Sequence, residues 1–449
     1  MAQGEERFNS FYKYAKTVIY SPFFLFGKIM SKIKDNESIK PFLAFSKLIE
    51  TGCNLLDTIP FIYTINPKLK EHRNQLIQIV QDSQVLTLPD QFNDLFSKDG
   101  WICYGGLSQT ILEKCVYLGS INKYEEAKEL LINYIDQNKI DFILKKCTSR
   151  EHFKDRLDLL KLLKIDYLDE RYHACIPLLL ALIDGLVNDI SRHVGFFAEK
   201  SDLELYDSIT SHETGLPFLK VIMNTSRTKT AKERILIPYR NGILHGRDLN
   251  FANKEVASKC WWVLDCLIDW ADEKAVNKQP EEPISLKESL EKYQMTKELS
   301  QRINEWKMRP IKSENYWENQ MLETLDSLTP EYTLLIFLNA WKEQQWGKIF
   351  PILLHTIGKH QGKTMLEIKN DYQKIKLLKF RIKSSEDQTP SSTKISTHLE
   401  YVKNDITQSL YIEISLNYAN AKNGYPELRG EPNGNWYILQ LSLRQILFN

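Results

Sequence analysis

Nowhere in this sequence do two cysteines stand in the C-x-x-C spacing of a zinc knuckle. The seven present, at positions 53, 103, 115, 147, 175, 260 and 266, are scattered and odd in number. Neither a zinc knuckle nor a disulfide framework is therefore implied, and a reduced, cytosolic protein is expected. An excess of either charge is missing too: 59 Lys and Arg against 58 Asp and Glu leave a net charge of +1. No global field draws such a chain onto nucleic acid or membrane, so any RNA contact must come from a local patch. The opening stretch "MAQGEERFNSFYKYAKTVIYSPFFLFGKIM" has an apolar centre broken by Tyr, Lys and Pro22. It falls short of the ~20 apolar residues that cross a bilayer and lacks the form of a cleavable signal, so no membrane association is expected. Also absent are G-x-S-x-G, H-E-x-x-H, a phosphate loop, a dinucleotide fingerprint and any repeat at solenoid periods. Gly105-Gly106 lacks the spaced glycines and the Lys-Ser/Thr of a phosphate loop and reads as a turn. No cofactor is implied, and no His, Cys or carboxylate spacing amounts to a committed metal site.

What is present is the composition of a folded protein, 43% apolar and 11% aromatic. A chain of 449 residues exceeds one compact core and should form two to four domains. The expected fold class is mainly α with a C-terminal α+β domain. Residues 1–150 read as a helical region without identifiable chemistry, and 151–275 as a helical bundle. A linker and helices follow over 276–324, with "VNKQPEEPISLK" (276–287) the least apolar part, and 325–449 is the α+β domain.

Within 151–275, "RLDLLKLLKIDYLDERYHACIPLLLALIDGLVNDISRHV" predicts two helices with a short join. The second is apolar nearly all round and is expected to be buried on most faces. Asp184 and Asn188 interrupt it at i and i+4, and a carboxylate there is costly without a partner. A polar stretch expected to be mobile, "NTSRTKTAKER", leads to "PYRNGILHGRDLNF" (238–251). Pro238 suits the first turn of a helix, Gly246 its end, and Asn253 the N-cap of the next helix. On a continuous helix His245 would lie over Asn241, and Arg240 could swing its guanidinium round, so the three polar heads would converge. Histidine titrates near neutrality and can move a proton to or from a ribose 2′-OH or a leaving oxygen. Guanidinium grips phosphate oxygens in a bidentate fork, and Asn241 can donate to phosphate or fix the imidazole tautomer. If the neighbouring 2′-OH is the nucleophile, no metal is needed and the substrate is RNA. With nine His and fifteen Arg, such an Arg-to-His spacing arises by chance roughly once in a chain of this length, so spacing alone decides nothing.

The setting adds to it. "RNGILHG", with the long apolar helix "RYHACIPLLLALIDGLVNDI" before it, resembles the HEPN superfamily, helical bundles of ribonuclease toxins and antiviral defence proteins. The family motif is Arg, four to six residues, then His, with a polar residue directly after the Arg, here Arg240, Asn241 and His245. The resemblance covers about 125 of the 449 residues. It implies a metal-independent endoribonuclease acting in phage defence, abortive infection or growth arrest. Arg240 and His245 would be catalytic, Asn241 supporting and Asp184 a possible support, with two motifs meeting across a homodimer. Members without nuclease activity serve as dimerising or binding modules, so a non-catalytic scaffold or ligand sensor is the alternative.

Over 325–449, "LKFRIKS", "KISTHLEYV" and "SLYIEISLNY" alternate apolar and polar residues, and "GNWYILQLSL" closes the chain after a "PNG" turn. Helices followed by an antiparallel meander resemble the nuclear-transport-factor-two-like fold, which implies a pocket or a dimer face for a small ligand or protein. His398 and Glu400 share a strand face as an exposed pair, and no catalytic pattern is visible.

Overall fold

The computed structural model describes residues 32–449 apart from 149, 192–194, 198–211, 276–282, 313, 319–321, 354–355, 358–359, 362–363, 423 and 448–449. The opening apolar stretch and most of the expected linker lie outside the described residues. Packing divides the described chain into two units, one ending at Gln294 and one beginning at Met295.

The first unit is helical. Its main elements are α1 (Lys40–Asp57), α2 (Pro67–Val85), α3 (Leu88–Phe96), α4 (Gln109–Ser120), α5 (Tyr124–Tyr134), α6 (Gln137–Thr148), α7 (Leu157–Leu168) and α8 (Tyr172–Ser191). Then follow α9 (Leu216–Met223), β1 (Ala231–Arg234), α10 (Arg240–Leu244), β2 (Asp248–Asn250) and α11 (Lys254–Ala275), while α12 (Leu286–Glu305) begins in this unit and continues past its last residue, Gln294. Helices on both sides of residue 150 contribute to one apolar core. At its centre is α11, which Asn253 caps as expected: its Oδ1 accepts from the Val256 N–H at 3.1 Å. Cys260, Trp261, Trp262, Val263, Leu264, Leu267 and Ile268 are buried, so this helix is enclosed on nearly every side. Trp262 meets Trp101 and Tyr104 edge-on at 5.0 and 5.2 Å, tying α11 to the segment after α3.

The burial expected of α8 belongs in fact to α11. In α8, Cys175, Ile176, Leu179, Leu180, Ile183, Leu186 and Val187 form one buried stripe, while Ala174, Leu178 and Ala181 face solvent. By length and composition α8 could cross a bilayer, but its buried stripe packs as a core helix does, against α11 and α7. One deeply buried carboxylate of this unit is Asp265 on α11. Lys139 and Lys146 of α6 pair with it at 2.8 and 2.6 Å, and the Tyr104 hydroxyl donates to it at 2.7 Å. Burial opposes its ionisation, but the two ammonium groups outweigh that and hold the carboxyl well below the usual range. Removing one partner from such a cluster costs about 3–5 kcal/mol. Gly105 and Gly106 form the expected turn, and a Cβ on Gly106 would stand 2.7 Å from Asp269 Oδ2.

The second unit is α+β. Helix α13 (Pro330–Lys342) starts at Thr329, whose hydroxyl accepts from the Tyr332 N–H at 3.3 Å. Helix α14 (Met365–Tyr372) starts with a capping box of Thr364 and Glu367. Strands β3 (Ile375–Thr389), β4 (Ser392–Lys403), β5 (Ile406–Asn420) and β6 (Gly434–Ile438) form an antiparallel sheet in that order. Alternation is strict along β4, where Ile395, Thr397 and Leu399 are buried and Ser396, His398 and Glu400 are half-buried. His398 is hydrogen-bonded to Ser409 Oγ at 2.6 Å and packs on Tyr411. The closing segment departs from expectation. The strand stops at Ile438, and a 3-10 turn (Gln440–Leu443) and a helical turn (Arg444–Leu447) follow. Leu443 and Ile446, three apart, are both buried, which a turn achieves and a strand would not.

A buried acid anchors this unit as well. Asp387 on β3 accepts from Arg309 and Arg429, and Arg309 also reaches Glu331 of α13 at 3.0 Å. Burial opposes its charge, and the hydrogen bonds from Arg309 and Arg429 more than compensate, so the carboxyl stays well below its usual range.

Candidate functional site

The motif folds as a single short turn of helix. Pro238 lies just ahead of it rather than within its first turn, since Tyr239 is the N-cap and Arg240 the first helical residue. The end is a Schellman motif. Gly246 takes φ +65°, its N–H donates to the Ile243 carbonyl at 3.1 Å, and the Arg247 N–H reaches back to the Gly242 carbonyl at 2.7 Å. Gly246 therefore ends the helix as expected, because a left-handed residue is required there. His245 becomes the C-cap, with its backbone N–H on the Asn241 carbonyl at 3.1 Å.

Strand pairing sets the other wall. β1 lies parallel to β2, Ala231 opposite Asp248, with α10 in the crossover between them. The stretch "NTSRTKTAKER" is therefore built into the unit: Ser226 and Arg227 lie against the motif and Ala231–Arg234 forms β1. Asn241 fastens its start. Its amide nitrogen donates to Asn224 O (3.1 Å), Asn224 Oδ1 (3.0 Å) and Ser226 Oγ (3.2 Å), while its oxygen accepts from Arg240 Nη1 at 2.9 Å.

Asn241 and His245 are brought together on one cavity of about 330 Å³, together with Ser226, Arg227 and Arg247. Arg240 is held behind that lining. Its Nη2 contacts Asp184 Oδ2 at 3.4 Å, and its guanidinium lies over the Phe197 ring, 5.7 Å from the centroid. The expected convergence of three polar heads is thus replaced by a chain: Asp184, Arg240 and Asn241 are linked side chain to side chain, and only Asn241 and His245 face the cavity. The reason is geometric, because His245 leaves the helix at its last turn while Arg240 begins it. Asp184 finds the partner its sequence position demanded, in Arg240 and in the Phe197 N–H at 3.0 Å. Half-buried Asn188 forms no part of this chain.

The His245 imidazole is exposed and makes no hydrogen bond or ion pair among the described residues. It is open to a ligand entering the cavity. Three residues that sequence reasoning passed over complete the site. Arg227 lies over the Tyr239 ring at 4.7 Å, and its Nε stands 3.2 Å from Asp248 Oδ1. Arg247 hydrogen-bonds the Arg227 carbonyl. Asp248 is wholly buried and packed so tightly on Gly242 that a Cβ there would lie 1.7 Å from its Oδ2. "RD" directly after "LHG" was the available sign, but nothing in the letters says that Arg227, some twenty residues upstream, returns to meet it.

Two guanidinium groups therefore border the cavity and no carboxylate lines it, which favours an anionic ligand. Among the described residues no group of three His, Cys, Asp or Glu could hold a metal ion. No family model, curated protein or solved structure matches this chain.

Proposed function

We propose that the protein is a metal-independent endoribonuclease of HEPN type. In this reading a ribose 2′-oxygen attacks the adjacent phosphorus, the P–O5′ bond breaks, and a 2′,3′-cyclic phosphate forms. The 2′-OH proton passes to a base and the departing 5′-oxygen takes up a proton, two transfers for which His245 is the available group. The observation that carries the reading is an unencumbered imidazole beside Arg227 and Arg247 in one cavity. Asn241 forms part of that cavity's wall, Arg240 braces Asn241 from behind, and Asp184 in turn holds Arg240.

A single imidazole supplies one acid–base group, and a second copy of the chain would supply the other. Supporting a homodimer is a row of exposed apolar residues on α7, Leu159, Leu162, Ile165 and Leu168, with Leu178 exposed on α8. Such a patch on a folded unit commonly marks an interface. An RNA-cutting effector of this kind would work in the cytosol, in phage defence or growth arrest.

The second reading, a dimerising scaffold that senses a ligand, draws on the C-terminal unit. There a cavity of about 210 Å³ is bordered by Tyr332, Tyr418, Trp436 and Tyr437 and carries no charged side chain. It would suit a neutral aromatic ligand in a nuclear-transport-factor-two-like setting, and it is compatible with the first reading as a trigger site.

Incubating purified protein with total RNA, wild type beside His245→Ala, tests the proposal. Cleavage by wild type alone is the expected outcome. Equal inactivity of both, with and without a second copy in excess, would favour the scaffold.

A further inference from the structure

Both carboxylate oxygens of Asp248 are buried, and neither receives a hydrogen bond among the described residues. An ionised side chain in that position is costly unless a cation stands beside it. The cation on hand is Arg227, whose Nε is buried against Asp248 while the side chain as a whole remains 38% exposed. Its plane is fixed by Tyr239 beneath it. One edge of the guanidinium is thus directed at Asp248, and the same residue lines the cavity that holds His245. Arg247 is placed beside it by the Schellman turn and by its bond to the Arg227 carbonyl. Arg240, by contrast, is already engaged by Asp184 and Asn241.

From this arrangement we infer that Arg227 and Arg247 form the phosphate-binding subsite of the cavity, and that Asp248 is the positioning residue that aims Arg227 into it. The inference rests on the ribonuclease reading and adds a division of labour: Arg227 and Arg247 grip a backbone phosphate, and His245 moves protons. Asp248 never meets the substrate. It acts by stopping the Arg227 side chain from swinging out to solvent, so its loss weakens binding ahead of chemistry. Gly242 belongs to the same device, since only a residue without Cβ lets the carboxylate sit against the motif helix.

The test uses the full chain and a single-stranded 2′-O-methyl oligoribonucleotide, which binds but offers no 2′-OH for cleavage. Affinity is measured by fluorescence anisotropy over a range of KCl concentrations. Each phosphate contact on a single strand contributes about 0.7 to the slope of log affinity against log salt. Arg227→Gln should lower the slope by about that amount and weaken binding roughly 10-fold, as one lost charge-assisted contact does. In cleavage of an ordinary RNA it should raise KM with kcat nearly kept. His245→Ala should leave the slope as in wild type while cleavage is lost. Asp248→Asn should reproduce the KM effect of Arg227→Gln and add nothing to it in the double variant. Should Asp248→Asn fail to fold by circular dichroism, Arg227→Gln, at a partly exposed position, carries the test by itself.

If wild type cleaves RNA but Arg227→Gln keeps its slope and KM, the subsite is refuted and the ribonuclease reading stands. If wild type neither binds the oligonucleotide nor cleaves RNA, both fall together.

Discussion

Gly242→Ala is the substitution whose outcome follows most directly from the packing around the motif. Two effects oppose each other. Alanine is better than glycine inside a helix by about 0.5–1 kcal/mol. Against that, the new Cβ would stand 1.7 Å from Asp248 Oδ2, 2.7 Å from its Cγ and 3.3 Å from its Cβ. The obstacle is the whole carboxylate, so a small rotation will not clear it. Asp248 is fully buried, so it can retreat only by leaving Arg227 or by displacing β2. Overpacking of a tight site costs about 1–3 kcal/mol, and a weakened buried ion pair adds to it. The clash wins, with a net loss of about 1–3 kcal/mol. In thermal denaturation the transition of the N-terminal unit should fall by several degrees, at about 2–4 °C per kcal/mol for a unit of this size. The C-terminal unit's transition should stay where it is. Gly246→Ala is the internal control: nothing lies within 4 Å, and only the left-handed backbone, φ +65°, is strained, which costs about 1 kcal/mol. A Gly242→Ala protein that melts with wild type would refute the seating of Asp248 against the motif helix.

Further outcomes are expected elsewhere. His245→Ala should cut the cleavage rate by roughly 10²–10⁴ with an unchanged melting temperature, because the imidazole is exposed and its removal breaks no contact among the described residues. Asp387→Asn should cost the C-terminal unit about 3–5 kcal/mol, read from the fluorescence of Trp436, since Arg309 and Arg429 would lose their common anion. The pH dependence has a definite sign: the folded-state pKa of Asp387 lies below its unfolded value, near 3.9, so its contribution is complete above about pH 4 and is lost as pH falls further, a trend the Asn variant should lack. Replacing Leu162 and Ile165 by Glu should turn a dimer into monomer in sedimentation without changing the far-ultraviolet spectrum. All seven cysteines are buried and free, with burial pushing Cys115, Cys147 and Cys175 up to about 12; a thiol reagent should label none until the chain is unfolded.

What could be read from the letters was whatever local chemistry decides. Alternation located β3, β4 and β5, and Gly246 and Asn253 marked a helix end and a helix start because αL geometry and capping are properties of single residues. The errors arose where long-range packing decides. Helices α8 and α11 are both apolar enough for the centre of the core, and only the fold determines that α11 occupies it while Ala174, Leu178 and Ala181 of α8 face out. The parallel pairing of "AKER" with "DLN" has too few residues to show a period. It is this pairing that carries Arg227 to Asp248, so the anion-binding half of the site was hidden while the His245 half was visible. The convergence expected of Arg240 assumed a helix running through His245, and the Schellman turn ends it there.

Metal-independent attack by a ribose 2′-OH leaves a chemical signature at the cut end of the RNA. Wild-type protein is incubated with a defined single-stranded RNA in excess EDTA, and the 3′ terminus of the 5′ fragment is identified by mass. Cleavage should proceed without metal and leave a 2′,3′-cyclic phosphate or its opened form, and a substrate carrying 2′-deoxyribose at the cut should resist. Cleavage that requires magnesium and leaves a 3′-hydroxyl would contradict this mechanism, because a metal-held water would then be the nucleophile and His245 would not be the group that moves the proton.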